Sequence, residues 1–437
     1  MRNKFLIVAG TFLAGLIIVF GIRAISKHYS QTATVGQEAT PAVDQRATPA
    51  DSLIRQAIYA TIKEPDSPKS YNLLAAAYMQ KTRETADFSY NAKAEAALKR
   101  SFEVAPDNHA GVSLNAYLLL SYHRFNEALD VARHAIEQSP RDYEAYGALV
   151  DALVETGNYP EARVRIQQML DLRPYTASYA RASYLRSLYG NTDGAIEAMR
   201  LAAESSSPTD PEGMAWCYVH LGDELTNAGK LAEAEHEYDH ALFVFPDYHL
   251  ALAAKARVRL AAGDTNAAID FYKRAEERVP LPDTAIALGD LYRKLGRTDE
   301  AKKQYDLVEF IERTTAAGST YSRQLALFYA DHDMKLDDGL SIAQSERAKR
   351  SDIFTCDALA WCLYKKGDLA GAKKSIDEAM RLGTRDARIN YHAGMINQAL
   401  GNRRDAAKYL QLALKINPFF DVLQADVARQ TLHNIDA

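Results

Sequence analysis

The stretch His220–Ala241 reads HLGDELTNAGKLAEAEHEYDHA, and Ala287–Val308 repeats its phrase as ALGDLYRKLGRTDEAKKQYDLV. In both, a second Gly follows the Gly of Leu-Gly-Asp by seven residues, Ala follows five residues later, and Tyr follows after four more. Gly supplies the left-handed backbone conformation that ends a helix, so the second Gly predicts a turn between two helices. A phrase that recurs along one chain indicates a repeated architecture.

Prolines give the period of the repeat. Pro106, Pro140 and Pro174 lie 34 residues apart, and so do Pro246 and Pro280. We number the Gly of Leu-Gly-Asp as position 8 of a unit. Small residues at positions 8, 20 and 27 let two helices approach, large apolar residues at 7, 11 and 24 fill the space beside them, and Pro at position 32 ends the second helix. Each unit leaves apolar surface that a neighbour must cover, so the units are expected to stack.

These residues and their period closely resemble the tetratricopeptide repeat family. The resemblance implies an all-α fold, a right-handed superhelical solenoid of about ten helix–turn–helix units over residues 67–418. The first unit carries a surplus KTRETADFSY, and the stretch 316–350 has lost its turn Gly. Capping helices are expected at residues 51–66 and 419–437.

The N-terminus contains an apolar segment. Phe5–Ile22 has no charged residue over 18 positions, and as a helix it would span about 27 Å, close to a bilayer core. A signal-anchor or transmembrane helix is therefore predicted over residues 1–28, followed by a flexible linker over 29–50. Flanking charges favour a single pass through a bacterial inner membrane, with the repeats in the periplasm. A cleaved signal peptide, giving a secreted or periplasmic protein, is the alternative.

The charge and the cysteine content disfavour some classes of partner and of structure. The net charge is −5, and residues 1–50 carry +3, so the remainder carries −8. With no dense run of Lys or Arg, a nucleic-acid partner is not expected. Cys217, Cys356 and Cys362 are too few for a disulfide framework and are predicted to be buried thiols. No cofactor is expected.

One short motif suggests chemistry. HEYDH, His236–His240, matches the H-E-x-x-H pattern of zinc metalloproteases. It lies inside a second helix, with Tyr238 and Ala241 at core positions, so His236, Glu237 and His240 are expected on the outer surface. A third ligand and an enclosing cleft are not evident. We therefore predict neither a catalytic nor a metal site, and no enzyme.

The resemblance also implies a binding surface. In this family the first helices line a concave groove, with positions 2, 5, 6, 9, 12 and 13 facing into it. The Lys/Asn set with which some members clamp a carboxylate is absent. The corresponding candidates here are Arg181, Tyr184, His220, Asp223, Asn227, Arg257, Asp290, Arg293, Lys294, Asp357, Trp361, Tyr364, Tyr391 and His392.

The function implied is a non-catalytic scaffold that binds a protein or peptide partner in this groove, tethered to the membrane. Aromatic residues near the C-terminal end leave open a carbohydrate- or lipid-binding module of the envelope, because aromatic faces stack on sugars. An accessory subunit of an enzyme is the remaining alternative.

Overall fold

A computed structural model describes residues 48–315 and 322–436. The segment 1–28 and almost all of the linker 29–50 lie outside the described residues. Within the described ranges, no helix combines the length and the apolar composition that a bilayer crossing requires.

Regular structure in the described residues is entirely helical. The 22 helices are α1 (Pro49–Lys63), α2 (Pro68–Thr85), α3 (Ser89–Val104), α4 (His109–Ser121), α5 (Phe125–Gln138), α6 (Tyr143–Glu155), α7 (Tyr159–Leu172), α8 (Thr176–Leu188), α9 (Thr192–Glu204), α10 (Pro211–Asn227), α11 (Leu231–Val244), α12 (His249–Ala261), α13 (Thr265–Arg278), α14 (Pro282–Lys294), α15 (Thr298–Thr315), α16 (Arg323–Asp331), α17 (Leu336–Lys349), α18 (Ile353–Lys365), α19 (Leu369–Ala379), α20 (Ala387–Ala399), α21 (Arg403–Ile416) and α22 (Gln424–Asp436).

Helices α2 to α21 form ten consecutive pairs, with α1 before them and α22 after them. The two helices of a pair pack together, and in most units the first helix also contacts the first helix of the next unit. First helices therefore form the inner layer and second helices the outer layer. The predicted all-α solenoid of about ten units is confirmed.

Glycine at position 8 lets the two helices of a unit meet. A Cβ atom added at Gly222 would lie 2.4 Å from Cε1 of Tyr238, and one at Gly289 would lie 2.6 Å from Cε1 of Tyr305. The aromatic ring thus occupies the space that a side chain would need. Ala234, at position 20, is fully buried beside this crossing.

The turn inside each unit needs a left-handed residue. Gly229 and Gly296 have φ of 76° and 73° at this place. In the stretch 316–350, Asp333 adopts φ of 54° instead, so α16 and α17 still pair without Gly. The surplus residues of the first unit lengthen α2, which continues to Thr85.

Distant units also touch each other, which the repeat pattern did not predict. The Ser351 amide donates to the Glu155 carbonyl at 3.0 Å. A Cβ atom at Gly190 would lie 2.6 Å from the Gly383 carbonyl oxygen, 193 residues further along the chain. Each of these contacts joins the turn inside one unit to a loop between two later units.

A third contact also joins the turn inside one unit to a loop between two later units. Ala86, which follows α2, packs with Val279 and Leu281, and Val279 again lies 193 residues after Ala86. The superhelix therefore completes one coil in between five and six units of 34 residues, and the edge of one coil meets the edge of the next. We call these three sets of residues the inter-coil contacts.

Candidate functional site

The concave face carries charged side chains that water can reach. Arg257 of α12 lies 2.7 Å from an Asp223 carboxylate oxygen, and its side chain is 49% exposed. Arg388 of α20 lies 3.6 Å from Asp421 and is 42% exposed. These groups come from first helices four units apart, so they line one continuous inner surface.

The charges of both arginines act on the carboxyl group of Asp283, which lies on α14. Its side chain is exposed, yet desolvation raises the pKa of its carboxyl group, against the opposing effect of Arg388 and Arg257. An accessible carboxylate that is nevertheless poorly hydrated has protein on several sides. This is the environment of a groove wall.

Six of the predicted groove residues do not face solvent. Arg181 is 1% exposed, and its guanidinium donates to both Asp151 oxygens at 2.8 and 2.7 Å. Asp290 accepts from the Tyr305 hydroxyl at 2.7 Å. These side chains join helices together. The buried set comprises Arg181, Asp290, Asp357, Trp361, Tyr391 and His392.

The C-terminal aromatic cluster belongs to this buried set. Trp361 is 2% exposed, stacks on His392 at a centroid distance of 4.1 Å, and donates from Nε1 to Asp331 at 2.7 Å. Its ring is covered by the contacts that it makes with neighbouring first helices. The prediction that Trp361 and Tyr391 face a partner is therefore wrong. The exposed aromatic cluster that suggested stacking on sugars is absent at these two residues.

The other predicted residues keep some exposure. Tyr184, His220, Asp223 and Tyr364 are half-buried, whereas Asn227, Arg257, Arg293 and Lys294 are exposed. Lys294 is engaged elsewhere, because Nζ lies 2.8 Å from Asp426 of α22.

HEYDH lies on α11, with Tyr238 and Ala241 fully buried. His236 is 68% exposed, and Nδ1 of His240 lies 3.1 Å from Glu237 Oε2. Ligand atoms of His236, Glu237 and His240 lie within 4.8 Å of one another, and no further ligand joins them among the described residues. The three side chains could hold a metal ion, but it would be open to water.

A cleft of about 520 Å³ opens on the N-terminal part of the concave face. Its walls come from α2, α4 and α6 and from the loops before them, so three first helices contribute. No predicted groove residue lies there. The same position rule, applied to the second and third units, would have found Ala110, Ser113, Leu114, Tyr117 and Glu144. The lining residues are Pro68, Lys69, Asn72, Leu73, Ala76, Asn108, His109, Ala110, Ser113, Leu114, Tyr117, Ser139, Asp142 and Glu144.

Polar groups of this cleft are only partly satisfied. Glu144 Oε1 accepts from the Tyr175 hydroxyl at 3.2 Å, while the buried Oε2 has no hydrogen-bond partner. His109 Nε2 lies 2.6 Å from Asp142, and His109 Nδ1 has no partner. Desolvation raises the pKa of Glu144 to about 7, although Arg181 acts to lower it.

Glu224 gives a pH-dependent stability that can be measured. Desolvation raises its pKa from 4.5 to about 7, so the folded state holds a proton that the unfolded chain has released. Stability is then present below pH 4.5 and is lost as pH rises to about 7. We expect Glu224→Gln, which stays neutral, to reduce the loss of unfolding free energy between about pH 5 and 8 by on the order of 2 kcal/mol.

Urea unfolding at several pH values tests this, with the exposed Glu137→Gln as control. If the pH dependence of the unfolding free energy is unchanged in Glu224→Gln, the raised pKa of Glu224 in the folded state is contradicted.

Comparisons with known proteins agree with this architecture. Family models of the tetratricopeptide repeat match residues 119–183, 220–281, and 282–308 with 387–420. The BBSome complex member BBS4 of Bos taurus is 23% identical over 318 residues, which are 71% of this chain; the chain spans only 58% of the length of that relative.

Solved structures show similar helical arrays at low identity. The human IFIT1 dimer with PPP-AAAA is 17% identical with a TM-score of 0.49, covering 76% of this chain and 77% of that chain. A tetratricopeptide repeat protein from Parabacteroides merdae is 19% identical with a TM-score of 0.34, covering 60% of this chain and 99% of that chain.

The repeat models match near the start, middle and end of the array. The same small residues and turn glycines that carry the sequence resemblance also form the helix crossings and the turns. This chain therefore belongs to the tetratricopeptide repeat family.

Proposed function

We propose that this chain is a scaffold that binds a protein or peptide partner in its concave groove. Tetratricopeptide repeats imply protein interaction in general. The observation that supports groove binding is the accessible but enclosed charge of Arg257, Asp283 and Arg388. Side chains in such a place interact strongly with a partner, because the surrounding protein weakens screening by water.

The scaffold is proposed to act without catalysis. The His236, Glu237 and His240 group lies on one outer helix, with two exposed imidazoles. A hydrolytic metal site needs a cavity that positions substrate and excludes water. Metal analysis after chelator-free purification tests this part of the proposal, and peptidase activity that depends on Glu237 would overturn it.

A protein partner is proposed rather than a nucleic acid. Arg257 already faces Asp223, and Arg388 faces Asp421. A phosphate backbone that reached these guanidinium groups would also meet their carboxylates, which disfavours it. The IFIT1 structures contain PPP-AAAA, but the similarity to this chain extends to the fold alone.

Photo-cross-linking tests the groove. A benzoylphenylalanine at Asn227 or Asp283 is expected to capture the same partner from the native host, whereas one at Lys273, exposed on the outer helix α13, is expected not to. With that partner purified, Arg388→Glu should weaken binding about tenfold or more and Lys273→Glu should not. Capture from Lys273 alone would refute groove binding.

We also propose that Phe5–Ile22 tethers the array to a membrane, because its length and apolar composition suit a bilayer core. Fractionation of the full chain beside a chain lacking residues 1–28 tests this. The full chain is expected in the membrane pellet after carbonate washing, and the shorter chain in the supernatant. Release of the intact full chain would overturn the tether.

A further inference from the structure

We propose that the cleft between α2, α4 and α6 receives a Lys or Arg side chain of the partner, with its aliphatic stem on the apolar wall and its cation at Glu144. This inference rests on the proposed function and adds the chemistry of the partner's anchor. The cleft volume of about 520 Å³ suits a long side chain together with its flanking residues.

The apolar wall fits the stem of such a side chain. Leu73 and Ala76 come from α2, and Ala110 and Leu114 from α4. Lys and Arg lay their methylene groups along apolar surface while the charged head reaches a polar site. A short polar side chain would leave this wall uncovered, and a purely apolar one would leave the carboxylate without a partner.

The acidic end of the cleft fits the cation. Asp142 is already engaged, because Oδ1 accepts from the Glu144 amide at 2.9 Å and Oδ2 accepts from the Ser113 hydroxyl at 2.7 Å. Glu144 Oε2 has no partner. A buried acceptor without a donor carries a free-energy penalty that an incoming N–H group removes. A charged N–H donor removes it most effectively.

Arginines near Glu144 are already paired. Arg181 donates to both oxygens of Asp151. Arg173 lies over the ring of Tyr143, with its guanidinium carbon 4.6 Å from the centroid. Lys69 is exposed at the start of α2 and lines the same cleft.

Binding of a cation should release a proton. Desolvation raises the pKa of Glu144 to about 7, so near neutral pH a large fraction of its carboxyl groups carries a proton, which an ammonium or guanidinium group displaces. Several charged and titratable groups surround Glu144. They are Asp142 in the loop before α6, His109 and Tyr117 on α4, Lys69 on α2, Arg173 and Tyr175 in the loop before α8, and Arg181 on α8.

The test uses the full chain and short synthetic peptides. Acetyl-Leu-Lys-Leu-amide supplies the cation, the norleucine analogue keeps the stem without the charge, and the Glu analogue reverses the charge. Calorimetry is expected to show the Lys peptide binding about tenfold more tightly than the norleucine peptide. Titration in two buffers of different ionisation enthalpy is expected to show proton release with the Lys peptide only.

Variants of the chain sharpen the test. Glu144→Gln, which keeps the shape of the side chain, should abolish the tenfold preference for Lys and the proton release. Glu137→Gln, exposed on α5, should leave both unchanged, and circular dichroism checks the fold of each variant. Lys69→Gln should strengthen binding of the Lys peptide, because it removes a like charge.

Three results of the binding measurements would overturn the inference. They are equal affinity for the Lys and norleucine peptides, no binding of any peptide at millimolar concentration, and binding of free n-butylamine as tight as that of the Lys peptide. The last result would make the ligand a small amine instead of a peptide side chain. Partner capture that depends on Arg388 but not on Glu144 would leave groove binding intact and remove this anchor alone.

Discussion

Replacing Arg350 with alanine is expected to lower the free energy of unfolding by about 3–5 kcal/mol. Arg350 is 3% exposed and lies 3.1 Å from both Glu155 and Glu346, and 3.6 Å from Asp352. Without its guanidinium, three enclosed carboxylates would repel one another with little water to screen them.

Because Arg350 contacts Glu155, the destabilisation is expected to extend beyond the unit that contains Arg350. Glu155 ends α6, whereas Arg350 follows α17, 195 residues later. Desolvation raises the pKa of Glu155 to about 7 even though Arg350 acts to lower it. In the alanine variant Glu155 is expected to take up a proton more readily, so the destabilisation should be smaller at low pH.

Chemical denaturation and limited proteolysis measure the effect. The exposed Arg200→Ala on α9 is the matched control, with an expected change within about 0.5 kcal/mol. New cleavage sites are expected in α6–α7 and in α17–α18 together. A midpoint for Arg350→Ala equal to that of the control would contradict a stabilising role for the Arg350 ion pairs with Glu155, Glu346 and Asp352.

Replacing Gly222 with valine is expected to lower the free energy of unfolding by about 1–3 kcal/mol. The new Cβ atom would lie 2.4 Å from the ring of Tyr238. The ring cannot move away cheaply, because the Tyr238 hydroxyl donates to Asp223 at 2.9 Å and lies 3.1 Å from the Thr226 hydroxyl. The helix pair α10–α11 must therefore separate.

A double-mutant cycle checks the cause. Tyr238→Ala is destabilising alone, but combined with Gly222→Val it should cost less than the sum of the two changes, because the cavity accepts the new side chain. Ala232→Val, on the exposed face of α11, controls for the lower helix propensity of valine. Additive effects of Gly222→Val and Tyr238→Ala would show that the clash is not the cause.

The units could be predicted because their determinants are local. Gly222 and Tyr238 lie 16 residues apart, and the turn at Gly229 depends on its own φ angle. Each requirement repeats in neighbouring units, so one sequence contains many copies of the same signal.

The groove was predicted less well, because a position number gives only the direction in which a side chain leaves its helix. Whether solvent lies there depends on how tightly the superhelix coils. Trp361 and His392 point towards the inside, but neighbouring first helices fill that space. The inter-coil contacts depend on the small rotation between units accumulated over 193 residues, which no local pattern contains.

The cleft was missed for another physical reason. Its walls come from three helices and include the small side chains of Ala76 and Ala110. A void is set by several helices at once, so its presence cannot be inferred from any single unit.

The inter-coil contacts have a mechanical consequence. A solenoid whose units touch only their neighbours can lengthen and shorten like a spring. Here the Ser351 amide donates to the Glu155 carbonyl, and Ala86 packs with Val279 and Leu281, so an increase in pitch would break these contacts. A ligand that entered between the coils would therefore first have to break these contacts.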